Sequence, residues 1–294
     1  MNGVFEFLIG LGKLALPPFV YLVMLNVGLT QQLGDILQHF KKLGFMARML
    51  LANFVLAPLA MFLLLKLFHV SQPFATALMI FSLTAGAPFL IKLTQFSKHD
   101  LSLGASLMLV LVTGTILTLP FTLPPVLPEG EIDTKAVALS LLKSLVWPVI
   151  VGMLLAWLLP TFTEIIQPWV AKVGGVLMNV VVYATLIGYA PTVLGQLGAY
   201  AIPIVVGMLF VVAAFGIGWL LGGQRGELRD LGALGTAQRN TAAAMIIAAQ
   251  NFGDQPTVFV LITLVNTLGI GLLKGAAMKL SRQQEVPEDA ARAG

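Results

Sequence analysis

Long apolar runs separated by short polar breaks fill the chain from its first residues to about residue 280. Each run is continuous rather than alternating, and a helix that crosses a lipid bilayer needs ~20 mostly apolar residues. Because only helices and closed barrels satisfy their backbone in lipid, and barrel strands alternate, the pattern predicts an all-α membrane protein. About nine spans follow, near residues 4–29, 44–68, 73–96, 99–125, 135–159, 168–190, 198–222, 230–250 and 256–280.

The two ends of the chain carry separate signals. Residues 1–30 show no small-residue cleavage site after their apolar run, which predicts a retained first span. Pro17 and Pro18 shorten its uninterrupted apolar stretch, so the pattern predicts a break or an interfacial portion there. Residues 281–294 are polar and lack an apolar face, which predicts a disordered cytoplasmic tail after a transmembrane bundle of residues 1–280.

Composition supports this class and excludes others. Of the 294 residues, 58% are hydrophobic and 10% are charged, whereas an ordinary soluble domain has roughly 25% charged residues. The chain has no cysteine, which excludes disulfides and thiolate metal sites. The formal charge of +4 comes from scattered basic residues rather than a patch, which argues against nucleic acid as a partner. The bilayer is the partner that composition predicts.

Basic residues collect at one set of predicted helix ends, which indicates the orientation. These residues are Lys41, Lys42, Arg48, Lys98, Lys172, Arg225, Arg229, Lys279 and Arg282. Lysine and arginine are enriched in cytoplasmic loops. We therefore expect a cytoplasmic C-terminus and an external N-terminus, in a bacterial inner membrane.

Two apolar spans are interrupted by small and polar residues. Residues 84–88 break the third span and include Gly86 and Pro88, and residues 232–240 open the eighth span and include Gly235. A simple kink explains either interruption alone. Interrupted spans in both halves of a chain, however, are the best sequence indication of a transport site, because unwound backbone and half-helix ends can bind ions and charged solutes.

Each interruption is accompanied by a basic residue, Lys92 or Arg239. A charge at the centre of a membrane helix costs about 2.5–3.5 kcal/mol on insertion scales unless it meets water or a partner. Lys92 has two interpretations, a side chain that reaches the interface or a functional cation. Arg239 is flanked by Gln238, Asn240 and Thr241, and since no acidic residue lies well inside a predicted span, an anionic ligand is favoured.

Motifs for enzyme chemistry are missing from the sequence. It has no His-Glu-x-x-His metal motif, no Gly-x-Ser-x-Gly nucleophile elbow and no phosphate-binding Gly-Lys-Ser/Thr loop. Its three histidines, His39, His69 and His99, fall near predicted helix ends, where solvated interface residues are common. The sequence therefore predicts a protein that is not an enzyme and holds no metal cofactor.

Several landmarks, in their order and spacing, resemble the bile acid:sodium symporter family, and the likeness extends over about residues 24–278. The landmarks are residues 25–30, similar to a Met-Gly-Leu-Thr helix end; Asn53 and Phe54 with Pro58, similar to a Gln-Phe…Pro stretch; residues 84–100 and 235–244, similar to the two crossover segments; and Asn266, which matches an asparagine of the last helix. The chain is similar to a divergent bacterial member.

The resemblance implies a fold with inverted repeats that is divided into a core domain and a panel domain. Spans three and eight would cross at their unwound centres. The panel would consist of the spans near 4–29, 135–159 and 168–190. The core would consist of those near 44–68, 73–96, 99–125, 198–222, 230–250 and 256–280.

The positions that hold sodium in the family are largely altered in this chain. Those of the first site carry no suitable side-chain oxygen and are Leu90, Ile91, Gly104, Met108 and Leu234. The second site keeps Gln238 and Asn53, so one sodium ion remains compatible with the sequence. Arg239 replaces the asparagine that follows this glutamine in the family, and a guanidinium repels a neighbouring cation strongly at low dielectric. These changes argue against sodium coupling.

The residues and the resemblance together predict a secondary active transporter of a small organic anion, a carboxylate, that works by alternating access. Arg239 and Lys92 would hold its charge, with hydrogen bonds from Asn240, Thr241 and Asn266. One alternative is a uniporter or proton-coupled carrier of a neutral solute, in which Arg239 replaces the sodium ion. Another is a non-transporting receptor. A resemblance to arsenite permeases ranks lower, because those rely on a cysteine and a glutamate in the crossover helices.

Overall fold

The computed structural model of the chain describes residues 3–30, 42–126, 139, 142–224, 226–252 and 255–292. Throughout these ranges the regular elements are helices, and an isolated antiparallel bridge joins Ala85 to Arg239. The helices are α1 Gly3–Thr30, α2 Leu43–Leu67, α3 Phe74–Leu83, α4 Phe89–Phe96, α5 Leu101–Thr122, α6 Leu142–Leu158, α7 Pro160–Gly188, α8 Ala190–Gly195, α9 Leu197–Gly222, α10 Gly226–Ala237, α11 Thr241–Asn251 and α12 Pro256–Arg292.

Six of the described helices are long and apolar enough to cross a membrane, namely α1, α2, α5, α7, α9 and α12. Helices α3 and α6 are shorter apolar helices. The all-helical prediction is confirmed for the described ranges. The total of nine spans stays a prediction, as do the inverted repeats and the division into core and panel.

Helix α1 is continuous from Gly3 to Thr30 and includes Pro17 and Pro18. The predicted break at these prolines is therefore wrong. Both prolines are exposed, whereas Leu16 and Phe19 on either side are buried. Because the buried face of α1 packs along α6 and α7, tertiary contacts hold the helix through a point where the sequence alone is weak.

Two further boundaries differ from those predicted. Helix α7 begins at Pro160 rather than near residue 168, because proline is well suited to the first helical turn. It continues through Pro168. Helix α12 extends to Arg292 and includes most of the segment predicted to be a disordered tail. That segment is rich in Ala, Glu, Gln and Arg, which are strong helix formers.

Glycines permit the closest approaches between helices. A Cβ added at Gly28 of α1 would lie 2.9 Å from the Cα of Gly152 on α6. Likewise, a Cβ added at Gly232 of α10 would lie 2.7 Å from the carbonyl oxygen of Gly218 on α9. As a result α1 packs tightly with α6 and α7, and α10 packs tightly with α9.

Polar contacts join the connection between α4 and α5 to the start of α10. His99 Nε2 lies 3.3 Å from Asp230 Oδ2, and both side chains are buried. Glu227 Oε1 accepts a hydrogen bond of 2.8 Å from the backbone N of Asp100. His99 is therefore not the solvated histidine that its place near a helix end suggested; of the other two, His69 is exposed and His39 lies outside the described ranges.

Candidate functional site

The two interruptions predicted from the sequence meet in the structure. Residues 84–88 separate α3 from α4, and residues 238–240 separate α10 from α11. The bridge between Ala85 and Arg239 joins them, and the backbone N of Asn240 donates a 2.8 Å hydrogen bond to the carbonyl of Thr84. Two broken helices thus cross at their non-helical centres.

Side chains satisfy the backbone groups that the interruptions leave free. Asn240 caps α11, since its Oδ1 accepts from the backbone N of Ala243 at 3.1 Å, and its Nδ2 donates to the carbonyl of Gly86 at 3.2 Å. Thr115 of α5 accepts from the N of Ala85 and donates to its carbonyl, both at 2.9 Å. No sequence pattern singles out Thr115, because only the folded chain brings it to the crossing.

A cavity of about 400 Å³ lies beside the crossing. Its walls come from α1, α4, α5, α7, α11 and α12 and from both interruptions. The predicted site residues in these walls are Pro88, Lys92, Gln238, Arg239, Asn240, Thr241 and Asn266. Polar residues that were not predicted for the site also line it, namely Asn26, Thr30 and Gln167. No Asp or Glu is among the described residues of the wall.

The N-terminal ends of two half-helices reach this cavity. Phe89 and Thr241, the first residues of α4 and α11, both line it. A helix N-terminus carries a partial positive charge from the helix dipole, which favours anions. Lys92 is exposed on α4 and lines the same cavity, so a formal positive charge adds to the two dipoles.

The guanidinium of Arg239 is buried against α3 and α9. Its side chain is 1% exposed. Nη1 donates a 3.2 Å hydrogen bond to the carbonyl of Ser82 in the last turn of α3, and Cζ lies 5.2 Å from the ring centre of Phe210 on α9. Nε and Nη2 have no hydrogen-bond partner among the described residues. The positive charge therefore sits at the C-terminal end of α3, where the helix dipole is negative.

Asn53, one of the two residues predicted for a residual sodium site, lies in a π-helical turn of α2 and outside the cavity wall. Its Nδ2 donates to the carbonyl of Met49 at 2.9 Å and to Thr236 Oγ1 at 3.1 Å. Its buried Oδ1 has no partner among the described groups. Gln238, the other residue, follows Thr236 closely in the chain, and its Nε2 donates to the carbonyl of Arg239 at 3.3 Å. Sodium binding by this pair stays a prediction.

Apolar packing surrounds the positions that the family resemblance assigns to a first sodium site, and that assignment stays a prediction. Leu90 and Leu234 are fully buried. A Cβ added at Gly235 would lie 2.8 Å from Leu107 Cδ2 and 3.3 Å from Leu90 Cδ2. Thr94, which is near Gly104, uses its hydroxyl to donate to the carbonyl of Leu90 within its own helix. Leucine side chains supply no oxygen ligands here.

Gln167 on α7 was missed by sequence reasoning. Its Nε2 donates a 3.0 Å hydrogen bond to Oδ1 of Asn26 on α1, and both residues line the cavity. The predicted start of the span near 168 left Gln167 in a loop. The proline at position 160, read as a first-turn residue, was the signal that would have placed it inside the helix. Asn266, by contrast, was predicted and lies buried in the wall on α12.

Two sequence comparisons relate the chain to known transporters. A rice (Oryza sativa subsp. japonica) protein described as a probable sodium/metabolite cotransporter BASS2, chloroplastic, is 29% identical over 219 residues, which are 73% of this chain and 49% of that protein. The chain thus spans about half the length of the curated relative it matches. The family model for the sodium bile acid symporters matches residues 17–196, more than half of the chain. With its apolar helices and crossing interruptions, this integral membrane protein belongs to the sodium bile acid symporter family, a family of transporters.

Proposed function

We propose that the protein is a secondary active transporter that moves a small organic anion, a carboxylate, across the bacterial inner membrane by alternating access. The observation that carries this proposal is the cavity wall, which combines the N-termini of α4 and α11 with Lys92. Among its described residues no acidic side chain opposes that positive potential. The carboxylate would lie against the crossing.

The remainder of the wall supports a small and partly apolar solute. Side chains such as Phe19, Val23 and Met178 provide most of the surface between the polar groups. Solute sites are typically apolar clefts with a few placed polar groups, and a cavity of about 400 Å³ is at the small end of the usual range of roughly 300–1,000 Å³. A short organic acid suits this wall better than a large amphipathic one.

Arg239 supports the proposal in a different way from the one first predicted. Its contacts with Ser82 and Phe210 favour the role of a fixed cation at the crossing over direct contact with the substrate. A permanent charge at the end of α3 would serve where a bound sodium ion serves in other carriers. We therefore propose that transport does not require sodium, and that Lys92 and the helix ends bind the anion.

The test of this function uses the purified chain in proteoliposomes, with uptake and thermal stabilisation measured for short carboxylates and for the corresponding neutral amides. We expect carboxylates to bind and to be transported, and the amides to do neither. Lys92→Gln should weaken carboxylate binding about tenfold, the effect of losing a charge-assisted contact. Lys279→Gln, at an exposed position of α12 outside the cavity, is the matched control and should not. Equal binding of acids and amides would refute the anion proposal.

We also propose an orientation with the C-terminus in the cytoplasm and the N-terminus outside. The basic residues that support this orientation include Arg48, Lys98 and Arg229, whereas Lys41 and Arg225 lie outside the described residues. Lys172, predicted at a helix end, lies well inside α7, with its Nζ 5.5 Å from the ring centre of Trp169. A fluorescent protein fused after Gly294 should be bright and alkaline phosphatase at the same place inactive; the reverse result would overturn the orientation.

A further inference from the structure

A hydrogen-bonded amide pair, Asn26 of α1 and Gln167 of α7, lines the cavity from two helices that do not contain the crossing segments. We propose that this pair binds an uncharged polar group of the substrate, so that the substrate is a monocarboxylate with a hydroxyl or carbonyl group at its other end. This inference rests on the proposed function, because it assumes that the carboxylate lies at the crossing.

The pair has hydrogen-bonding capacity to spare. One bond of 3.0 Å links Gln167 Nε2 to Asn26 Oδ1. Each side-chain amide carries two N–H donors and a carbonyl acceptor. With one bond between them, a donor and an acceptor remain for a ligand, and they remain whichever way the two amide planes are assigned. Neither side chain is fully buried, and both line the cavity, so these groups are accessible from it.

The hydrogen bond is not needed to hold α1 against α7. The two helices pack along much of their length, with close contacts such as that of Gly188 with Ile9, where an added Cβ would lie 2.8 Å from Cγ1. An interhelical hydrogen bond in a membrane adds only a small stabilisation on average. Packing explains the association of the helices, and the position of the amides at the cavity indicates recognition.

The wall around the pair also indicates that the recognised group is neutral. The described residues that α1 and α7 contribute to the cavity include no charged side chain. Lys172 on α7 is directed at Trp169 instead and does not line it. A second carboxylate placed here would lose its hydration without gaining a counter-ion, which is costly. A hydroxyl or carbonyl, by contrast, matches an amide that both donates and accepts.

The test is a ladder of ω-hydroxy acids, 4-hydroxybutanoate, 5-hydroxypentanoate and 6-hydroxyhexanoate, each compared with its parent acid. Affinity for the purified full chain is read from ligand-dependent thermal stabilisation. At one chain length we expect the hydroxy acid to bind about threefold to tenfold more tightly than the parent, the value of one neutral hydrogen bond. Glutarate, a diacid of similar length, should bind more weakly than that hydroxy acid.

Variants then assign the preference to the amides. In Asn26→Leu and in Gln167→Leu, the ratio of the affinity for the hydroxy acid to the affinity for its parent acid should fall to about one. Asn179→Leu, on the exposed face of α7 outside the cavity, should keep the wild-type ratio. If a variant fails to fold, the series of acids measured on the wild-type protein still tests the inference. A wild-type protein that shows no preference for the hydroxy acid at any acid length refutes it.

The outcomes separate this inference from the function beneath it. If no carboxylate binds, the proposed function fails and this inference fails with it. If carboxylates bind without any hydroxyl preference, or if the preference survives in both leucine variants, only the amide recognition is wrong. Glutarate binding as tightly as the hydroxy acid would likewise refute the neutral subsite alone.

Discussion

Replacing Gly86 with alanine is expected to destabilise the protein by about 2–6 kcal/mol. Gly86 has φ 77°, in the left-handed region, where a non-glycine residue costs about 1–3 kcal/mol. A Cβ at this position would also clash with the backbone N of Val112 and lie 2.7 Å from the carbonyl carbon of Leu111 on α5. Such overpacking costs about 1–3 kcal/mol more. Backbone atoms of a helix cannot move aside as the end of a side chain does.

The matched control is Gly216→Ala on α9, where an added Cβ meets nothing within 4 Å. Alanine within a helix is favoured over glycine by roughly 0.5–1 kcal/mol, so this variant should be as stable as the wild type or more so. Thermal unfolding and the monodisperse fraction in detergent measure both changes. A Gly86→Ala protein with an unchanged unfolding midpoint would show that the crossing adapts, and that the left-handed turn is not required.

The crossing itself could be anticipated, because its local signals are strong. Gly86 with Pro88, and Gly235 with the polar residues after it, mark places where a membrane helix cannot continue regularly. That Ala85 pairs with Arg239 depends on how the two helices approach each other, which no local pattern records. The family resemblance supplied that expectation, and the structure shows the bridge.

The direction of the Arg239 side chain could not be anticipated. Charge at an interrupted helix favoured an anionic ligand, but the guanidinium lies against the carbonyl of Ser82 and the ring of Phe210. Sequence gives the type of a residue and its approximate depth, whereas the face it presents follows from helix rotation. Gln167 was missed for a related reason, because its contact with Asn26 requires α7 to begin before Pro168.

Replacing Arg239 with glutamine is expected to reduce transport at least tenfold while changing carboxylate affinity by less than threefold. The lost contact is a charge-assisted hydrogen bond to the carbonyl of Ser82, worth about 1.5–3 kcal/mol. A change of this size lowers the population of the correctly assembled crossing roughly tenfold to a hundredfold. Because the guanidinium is buried against the end of α3, the loss should fall on the stability of the crossing rather than on the substrate. Arg239→Lys keeps the charge without the planar fork, and we expect partial activity.

The sharper variant is Arg239→Asn, which introduces the residue that the family resemblance places after the glutamine. If Arg239 stands in for a cation, its removal frees the Ser82 carbonyl and leaves the unpartnered Oδ1 of Asn53 near the end of α10. Wild-type uptake should be the same in sodium and in choline, whereas uptake by Arg239→Asn should depend on sodium. Sodium at 10–100 times its Kd should also stabilise that variant by about 1.4–2.7 kcal/mol.

Arg282→Gln, at an exposed position of α12, removes an equal charge far from these contacts in the chain and serves as the control. Two results would contradict the fixed-cation role of Arg239. If Arg239→Gln transports at the wild-type rate but binds carboxylates tenfold more weakly, the guanidinium binds the substrate, as the sequence first predicted. If wild-type uptake itself requires sodium, the ion has a site despite Arg239, and Gln238 and Asn53 become the residues to substitute. If the guanidinium of Arg239 replaces a sodium ion, uptake should depend on sodium in Arg239→Asn and in no other variant. Only Arg239→Asn both removes the charge and introduces the asparagine that the family resemblance places at this position.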